Sequence, residues 1–175
     1  MKNLLLTGKP GVGKTTAVLR ALELAGVPAR GFVTGELRGP RGRTGFQLRT
    51  LDGRTDTLAS VDFPGPPRVG KYGVRLEALE RLGVPEIDTA LAEGTLLVVD
   101  EIGKMELFSR SFRDAILRAL DAPVAVLATI TRASHPVAQR IKKRPDVQLV
   151  EITPSNRESV VQEVLVPWIR DAVAD

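Results

Sequence analysis

The run Gly8-Lys9-Pro10-Gly11-Val12-Gly13-Lys14-Thr15 decides how this 175-residue sequence is interpreted. A glycine, four further residues and then Gly-Lys-Thr is the spacing of phosphate-binding loops. The glycines let the backbone curl so that consecutive N–H groups point at phosphate oxygens, and a helix that follows adds the positive end of its dipole. We expect residues 8–15 to bind nucleotide phosphates, with Lys14 at the β- and γ-phosphates, Thr15 at Mg²⁺ and Thr16 beside the α-phosphate. An ordinary glycine-rich turn is the alternative.

The flanking residues support this interpretation. The apolar run Leu4-Leu5-Leu6 precedes the loop and predicts a strand. Apolar residues then recur at helical spacing from Val18 to Ala25, and Gly26 ends the pattern. The sequence therefore predicts a strand, a loop and a helix in succession.

The remaining pattern indicates a sheet covered by helices. Three β-rich segments at 31–37, 44–51 and 54–59, the last two joined by Asp52-Gly53, predict an antiparallel β-meander inserted at 31–60. Residues 63–67 are rich in proline and predict a surface loop. Helices are expected at 76–82, 87–92, 112–120, 137–141 and 160–169, and apolar strands at 96–99, 124–130 and 147–152. Strands that are apolar on both faces imply a parallel sheet between helices.

Length and composition limit the possible classes of protein. With 43% hydrophobic residues and a net charge of +4, the chain predicts one α/β/α domain over 1–175. It contains no cysteine and one histidine, which excludes disulfides, thiolate metal sites and multi-histidine metal sites. No signal segment or apolar run of membrane-spanning length is recognised, so we expect a soluble, cytoplasmic protein.

A second candidate site segment follows the apolar run 96–99. Asp100 comes directly after it, where nucleotide-binding sheets place the carboxylate that holds Mg²⁺ with Thr15. Glu101 comes next and could accept a proton from a water molecule aimed at the γ-phosphate. The alternative for Asp100 is a structural aspartate at the end of a strand or at a helix cap. The alternative for Glu101 is a solvated surface glutamate.

The run Asp100-Glu101-Ile102-Gly103-Lys104-Met105-Glu106-Leu107, together with the phosphate loop, resembles one family over essentially the whole chain. That family is the small P-loop nucleoside-triphosphatases of thermophiles, known in animals as cancer-related nucleoside-triphosphatase. Other matching segments are Gly31-Phe32-Val33-Thr34-Gly35-Glu36, Val69-Gly70-Lys71-Tyr72 and Thr153-Pro154-Ser155-Asn156-Arg157.

The resemblance implies a RecA-like sheet and Mg²⁺-dependent hydrolysis of ATP, GTP, CTP, UTP and TTP to diphosphate and phosphate with loose base selectivity. It also implies a nucleotide site made of the loop together with Val98, Val99, Asp100, Glu101, Ile102, Gly103, Lys104 and Met105. Lys14, Asp100 and Glu101 would then carry the catalysis.

Several weaker signals stay open. The arginine that neutralises transition-state charge could be Arg132, Arg140, Arg157 or a residue from another subunit. Lys104 could contact phosphate or face solvent, and Tyr72 could border the base or be half-buried. His135 is expected to begin a helix, and Asn156 to cap the last one.

Two other classes of function compete with hydrolysis. A nucleoside or small-molecule kinase would use the same loop but needs an acceptor pocket. A nucleotide-dependent switch protein that binds nucleic acid would need a basic surface, for which the turn with Arg38, Arg41 and Arg43 is the only candidate. With 4% aromatic residues the chain offers little for base stacking, so nucleic-acid binding is the less favoured interpretation. The oligomeric state is left open, with a monomer as one possibility.

Overall fold

One mixed sheet of nine strands runs through residues 1–174, the part of the chain that the computed structural model describes. The spatial order of the strands is β5-β6-β4-β3-β2-β7-β8-β1-β9. Their bounds are β1 Asn3–Thr7, β2 Ala29–Gly39, β3 Gly42–Thr50, β4 Thr55–Ser60, β5 Arg68–Val69, β6 Tyr72–Val74, β7 Leu96–Ile102, β8 Val126–Ile130 and β9 Val147–Glu151. Strands β2, β7, β8, β1 and β9 pair in parallel, and the others extend the sheet antiparallel from β2.

Helices cover both faces of the parallel part. The helices are α1 Lys14–Ala25, α2 at 76–93, α3 Arg110–Asp121, α4 Pro136–Lys142 and α5 at 157–173, and a 3₁₀ turn spans Glu106–Phe108. Leu5 and its neighbours on one face pack with α2, α3 and α4, whereas Leu4 and Leu6 on the other face pack with α1 and α5. This alternation along β1 follows from the two-residue period of a strand. The predicted three-layer α/β/α fold is confirmed.

Strand β8 lies between β1 and β7 in the sheet. The carboxyl ends of β1, β7 and β8 meet at the same edge because the three strands are parallel. That edge carries both the phosphate loop and Asp100.

The segment 31–60 forms three antiparallel strands, but its first strand also belongs to the parallel sheet. Residues Ala29 to Phe32 of β2 pair with β7, and from Phe32 onward β2 pairs with β3. The meander is therefore continuous with the main sheet at β2.

One wrong prediction concerns helix α2. Helices expected at 76–82 and 87–92 form this one helix, in which a π-helical turn at Leu79–Gly83 precedes Pro85. Helix α5 repeats this with a π-helical turn at Val161–Leu165 before Pro167. In both places the proline, which has no N–H to donate, is accommodated inside a helix.

Strand β9 was expected to be buried on both faces. It pairs only with β1 at the edge of the sheet, and Leu149 is 43% exposed. An apolar pattern indicates a strand but does not indicate which strand lies at an edge.

None of the helices in the described residues is both long and apolar enough to cross a membrane.

Candidate active site

The phosphate loop connects β1 to α1. Gly11 and Gly13 have φ angles of +78° and +97°, which side chains with a Cβ rarely adopt. The N–H of Val12 donates to the carbonyl of Lys9 over 3.2 Å. Lys14 is the first residue of α1, and its Nζ donates to the Gly8 carbonyl over 2.8 Å. The loop and the lysine thus form a compact unit at the N-terminus of a twelve-residue helix.

Three other elements hold the Asp100 carboxylate at the end of β7. The Oγ1 of Thr15 donates to Oδ2 over 2.6 Å, and the Oγ1 of Thr129 on β8 donates to Oδ1 over 2.5 Å. The N–H of Thr34 on β2 donates to Oδ2 over 3.4 Å. Asp100 is 3% exposed, and this burial raises the pKa of its carboxyl group while the hydrogen bonds oppose the rise.

Glu101 is half-buried next to the phosphate loop. Its Oε2 lies 3.9 Å from Nζ of Lys14, and the peptide bond that joins it to Asp100 is cis. Burial raises the pKa of the Glu101 carboxyl group, Lys14 lowers it, and Asp100 raises it again. A carboxylate whose pKa is raised toward neutrality is a better proton acceptor at physiological pH than an ordinary surface glutamate.

The oxygen atoms of Thr15 and Asp100 fit Mg²⁺ but not a metal held by protein alone. The described residues contain no group of three or more His, Cys, Asp or Glu that could hold a metal ion. Mg²⁺ is bound through few protein oxygens and keeps water and substrate phosphates as its other ligands. The hydroxyl and carboxylate found 2.6 Å apart are therefore the donors expected for a nucleotide-associated Mg²⁺ ion.

The predicted site residues divide into surface and core. Lys9, Pro10, Gly11, Thr16 and Lys104 are exposed at the loop and beyond the end of β7. The side chains of Val98, Val99 and Ile102 are fully buried in the sheet, so they belong to the core and do not face the loop. The nucleotide contact expected of these residues stays a prediction, and the burial of their side chains leaves it to their backbone atoms.

One of the candidate arginines lies against the phosphate loop. Nη1 of Arg157 donates to the carbonyl of Val12 over 3.0 Å, and the same guanidinium packs on Gly13. Arg132 and Arg140 are both exposed. Arg157 is exposed as well, and of the three it is the one that donates a hydrogen bond to the loop.

The other weak signals have structural explanations. Nδ1 of His135 accepts from the N–H of Val137 and caps α4. Asn156 stands at the start of α5, but its side chain bonds Thr153 and Glu151 and does not cap the helix, so that prediction was wrong. Tyr72 is 7% exposed, and its hydroxyl accepts from Nε of Arg43.

The basic turn is partly neutralised by acidic neighbours. Arg38 and Arg43 both contact Glu36, and Arg54 contacts Asp52 and Glu86. These ion pairs reduce the positive field that a nucleic-acid surface would need.

Sequence reasoning missed the threonines that hold Asp100. Thr34 and Thr129 lie on different strands, 66 and 29 residues away from Asp100. Thr129 is a polar residue in an otherwise apolar strand, and that is the one signal that could have identified it.

The fold and this edge of the sheet define an α/β protein of the P-loop NTPase type. Comparison with known families is more specific: the model of the NTPase family matches residues 3–165, and the chain belongs to that family. The members of the family that resemble it carry the names of hydrolases.

Three relatives illustrate the similarity. The nucleoside-triphosphatase THEP1 of Thermotoga maritima is 46% identical over 162 residues, which are 93% of this chain and 92% of the relative. The crystal structure of THEP1 from the hyperthermophile Aquifex aeolicus superposes with a TM-score of 0.85 at 38% identity, covering 93% of this chain and 96% of that one. The solution structure of a human cancer-related nucleoside triphosphatase gives a TM-score of 0.79 at 37% identity, with coverage of 95% and 97%.

Proposed function

We propose that this protein hydrolyses nucleoside triphosphates to diphosphate and phosphate, with Mg²⁺ and with loose selectivity for the base. The observation that carries the proposal is the Glu101 carboxylate, which follows the buried Asp100 and lies 3.9 Å from Nζ of Lys14. A proton acceptor at that position favours water as the nucleophile. The relatives are named nucleoside-triphosphatases, which supports a nucleoside triphosphate as the substrate.

In the proposed reaction the loop N–H groups and Lys14 bind the β- and γ-phosphates. Thr15 and Asp100 would hold Mg²⁺, which when bound neutralises charge on the phosphate oxygens. Glu101 accepts a proton from a water molecule whose oxygen bonds to the γ-phosphorus. The bond from that phosphorus to the β–γ bridging oxygen breaks, and the oxygen leaves with the nucleoside diphosphate. Positioning and charge neutralisation supply most of the catalysis.

The experiment is release of phosphate from ATP, GTP, CTP and UTP with Mg²⁺ and no other acceptor. Glu101→Gln keeps the shape of the side chain but removes the proton acceptor, and we expect turnover to fall by about 10²- to 10⁴-fold while nucleotide still binds. Lys14→Ala is expected to lose nucleotide affinity as well. The matched control is Glu163→Gln, an exposed glutamate on α5.

Two outcomes would contradict the proposal. If Glu101→Gln stays within a few-fold of the parent protein, Glu101 is not the base. If none of the four triphosphates is hydrolysed, the proposed activity is wrong. The cytoplasmic location stays a prediction.

A further inference from the structure

The phosphate ion produced by the proposed hydrolysis forms on the side of the site that faces away from the phosphate loop. In phosphoryl transfer the attacking and leaving oxygen atoms lie roughly in line through the γ-phosphorus. The nucleoside diphosphate therefore stays on the loop, and the phosphate ion separates from it toward Glu101. A cavity of about 200 Å³ lies on that side, lined by Glu101, Glu106, Lys104 and apolar residues such as Phe46 and Met105.

This first cavity does not hold an anion well. Glu101 and Glu106 both line it, and within residues 1–174 Lys104 is the one cation that does. Glu106 is 4% exposed, and burial and the nearby Glu101 raise the pKa of its carboxyl group well above the ordinary value. A protonated Glu106 can donate a hydrogen bond to a phosphate oxygen, but it offers no positive charge. We therefore expect a phosphate ion to pass through this cavity and not to stay in it.

A second cavity of about 330 Å³ adjoins the first, because Val69 and Lys104 line both. The other polar side chains in its lining are hydrogen-bond donors, namely Arg68, Ser134 and His135. Among the residues that the structure describes, no Asp or Glu lines it. A water molecule occupies about 30 Å³ in the liquid, so the second cavity has room for a phosphate ion with several water molecules.

The positive charges of Arg68 and Lys104 are available to a ligand. In the described part of the chain neither forms an ion pair with a carboxylate. Nη1 and Nη2 of Arg68 donate to the carbonyls of Phe63 and Lys71, each over 2.9 Å. A guanidinium group has five N–H donors, so these two bonds orient the group and leave further donors for an anion.

His135 adds a donor with a defined direction. Its Nδ1 accepts from the N–H of Val137 over 3.2 Å, so the ring carries its proton on Nε2. Arg68 lies on β5, Lys104 follows β7, and His135 follows β8. The donors thus come from three separate parts of the chain that the fold brings to one cavity.

We infer that the second cavity binds the phosphate ion released by hydrolysis, held by Arg68, Lys104 and His135 before it leaves the protein. Phosphate is an anion whose oxygen atoms accept several hydrogen bonds, and arginine and lysine are the side chains that bind it best. The inference rests on the proposed function, because the ion is the product of that reaction.

The experiment measures the binding of inorganic phosphate while the γ-phosphate position is occupied. The protein is saturated with Mg²⁺ and the β,γ-methylene analogue of ATP, which is not hydrolysed, and is titrated with potassium phosphate in a calorimeter at constant ionic strength. We expect phosphate to bind beside the analogue. Arg68→Gln and Lys104→Gln should each weaken this binding by about tenfold, the loss of one charge-assisted hydrogen bond.

Two further variants separate charge from local structure. Arg68→Lys disturbs the bonds to the carbonyls of Phe63 and Lys71 but keeps the positive charge, so it should recover most of the phosphate affinity that Arg68→Gln loses. Lys143→Gln is the control, because Lys143 is exposed just after α4 and lines neither cavity; it should bind phosphate as the parent does. Equal losses in Arg68→Lys and Arg68→Gln would overturn the assignment of Arg68 to the phosphate ion.

Product inhibition connects the cavity to the reaction. Formation of ADP from ATP is followed while phosphate is added in increasing concentration. Phosphate in the second cavity obstructs the departure of the product, so the concentration that halves turnover should be about tenfold higher in Arg68→Gln than in the parent. The same concentration in both proteins would refute this route for the product.

The two proposals can fail separately. If ATP is hydrolysed but no phosphate binds beside the analogue, or if Arg68→Gln and Lys104→Gln bind it as the parent does, the phosphate site is refuted and hydrolysis stands. If phosphate binds and depends on Arg68 but no triphosphate is hydrolysed, the proposed function is wrong, and the role of the cavity in product release is refuted with it.

Discussion

At the scale of single residues, Gly103 controls where the Glu101 carboxylate lies. A Cβ at position 103 would lie 2.5 Å from Oε1 of Glu101 and 2.8 Å from its Cγ. The Glu101 side chain can rotate away, so we expect Gly103→Ala to fold and to bind nucleotide but to hydrolyse up to about 10²-fold more slowly, the cost of a displaced catalytic group. Steady-state phosphate release measures the effect.

A double-mutant cycle with Glu101→Gln tests the cause. If Gly103→Ala acts through Glu101, it should cost little further activity once the carboxylate is gone. If Gly103→Ala slows the Glu101→Gln variant by the same factor as it slows the parent protein, this explanation is contradicted.

Arg157 is the second residue for which a single change is informative. Its guanidinium holds the Val12 carbonyl of the phosphate loop. One hydrogen bond contributes about 0.5 to 1.5 kcal/mol, so Arg157→Ala should raise the KM for ATP by up to about tenfold with little change in kcat. Arg118→Ala, which removes an exposed arginine on α3 that pairs with Asp88, is the control. A fall in kcat of about 10³-fold would instead make Arg157 the arginine that neutralises transition-state charge.

At the scale of elements, the pairing of β2 with β7 depends on Gly31. This residue has a φ of +132°, and an added Cβ would lie 1.8 Å from the carbonyl oxygen of Val98 on β7. Neither backbone can move without breaking the ladder, so Gly31→Ala should lower the free energy of unfolding by more than about 3 kcal/mol.

Gly35 supplies the matched control on the same strand. Nothing lies within 4 Å of a Cβ built there, and Gly35→Ala should change stability by less than about 0.5 kcal/mol. Denaturant unfolding of both variants measures the difference, and equal effects would mean that β2 and β7 are not in this register.

At the scale of the whole molecule, Glu106 makes stability depend on pH. Its folded pKa is raised by burial and by Glu101, so between an unfolded pKa of about 4.3 and that raised value the folded state binds more protons. Stability therefore falls as pH rises through this window, by at most about 1.4 kcal/mol per pH unit for this group. We expect Glu106→Gln to become progressively more stable than the parent protein as pH rises above the unfolded pKa and toward the raised folded one.

Guanidinium unfolding followed by the fluorescence of Trp168, the single tryptophan of the chain, measures this difference. Glu163→Gln should track the parent at every pH, because Glu163 is exposed. A constant offset between Glu106→Gln and the parent would show that Glu106 is charged in both states.

Much of the fold was predictable because its signals are local. The phosphate loop is recognised from a motif of consecutive residues. Helix α1 is predicted by apolar residues at helical spacing up to Gly26, and β7 by the apolar run that precedes Asp100. The errors concern context: the helix over 76–93 is predicted as two helices, and β9 is predicted as a buried strand. A π-helical turn and a position at the sheet edge are decided by neighbouring elements.

The amino-acid sequence by itself determined the phosphate loop, the acidic pair Asp100-Glu101 and the α/β/α class. Only the tertiary structure decided which distant residues reach them: Thr15 contacts Asp100 across 85 residues, and Arg157 contacts Val12 across 145. It alone revealed the cavity that Glu106 faces. The reason is physical. The patterns that specify a helix, a strand or a loop extend over a few neighbouring residues. A site at the edge of a sheet depends on the order of the strands, which no single segment encodes.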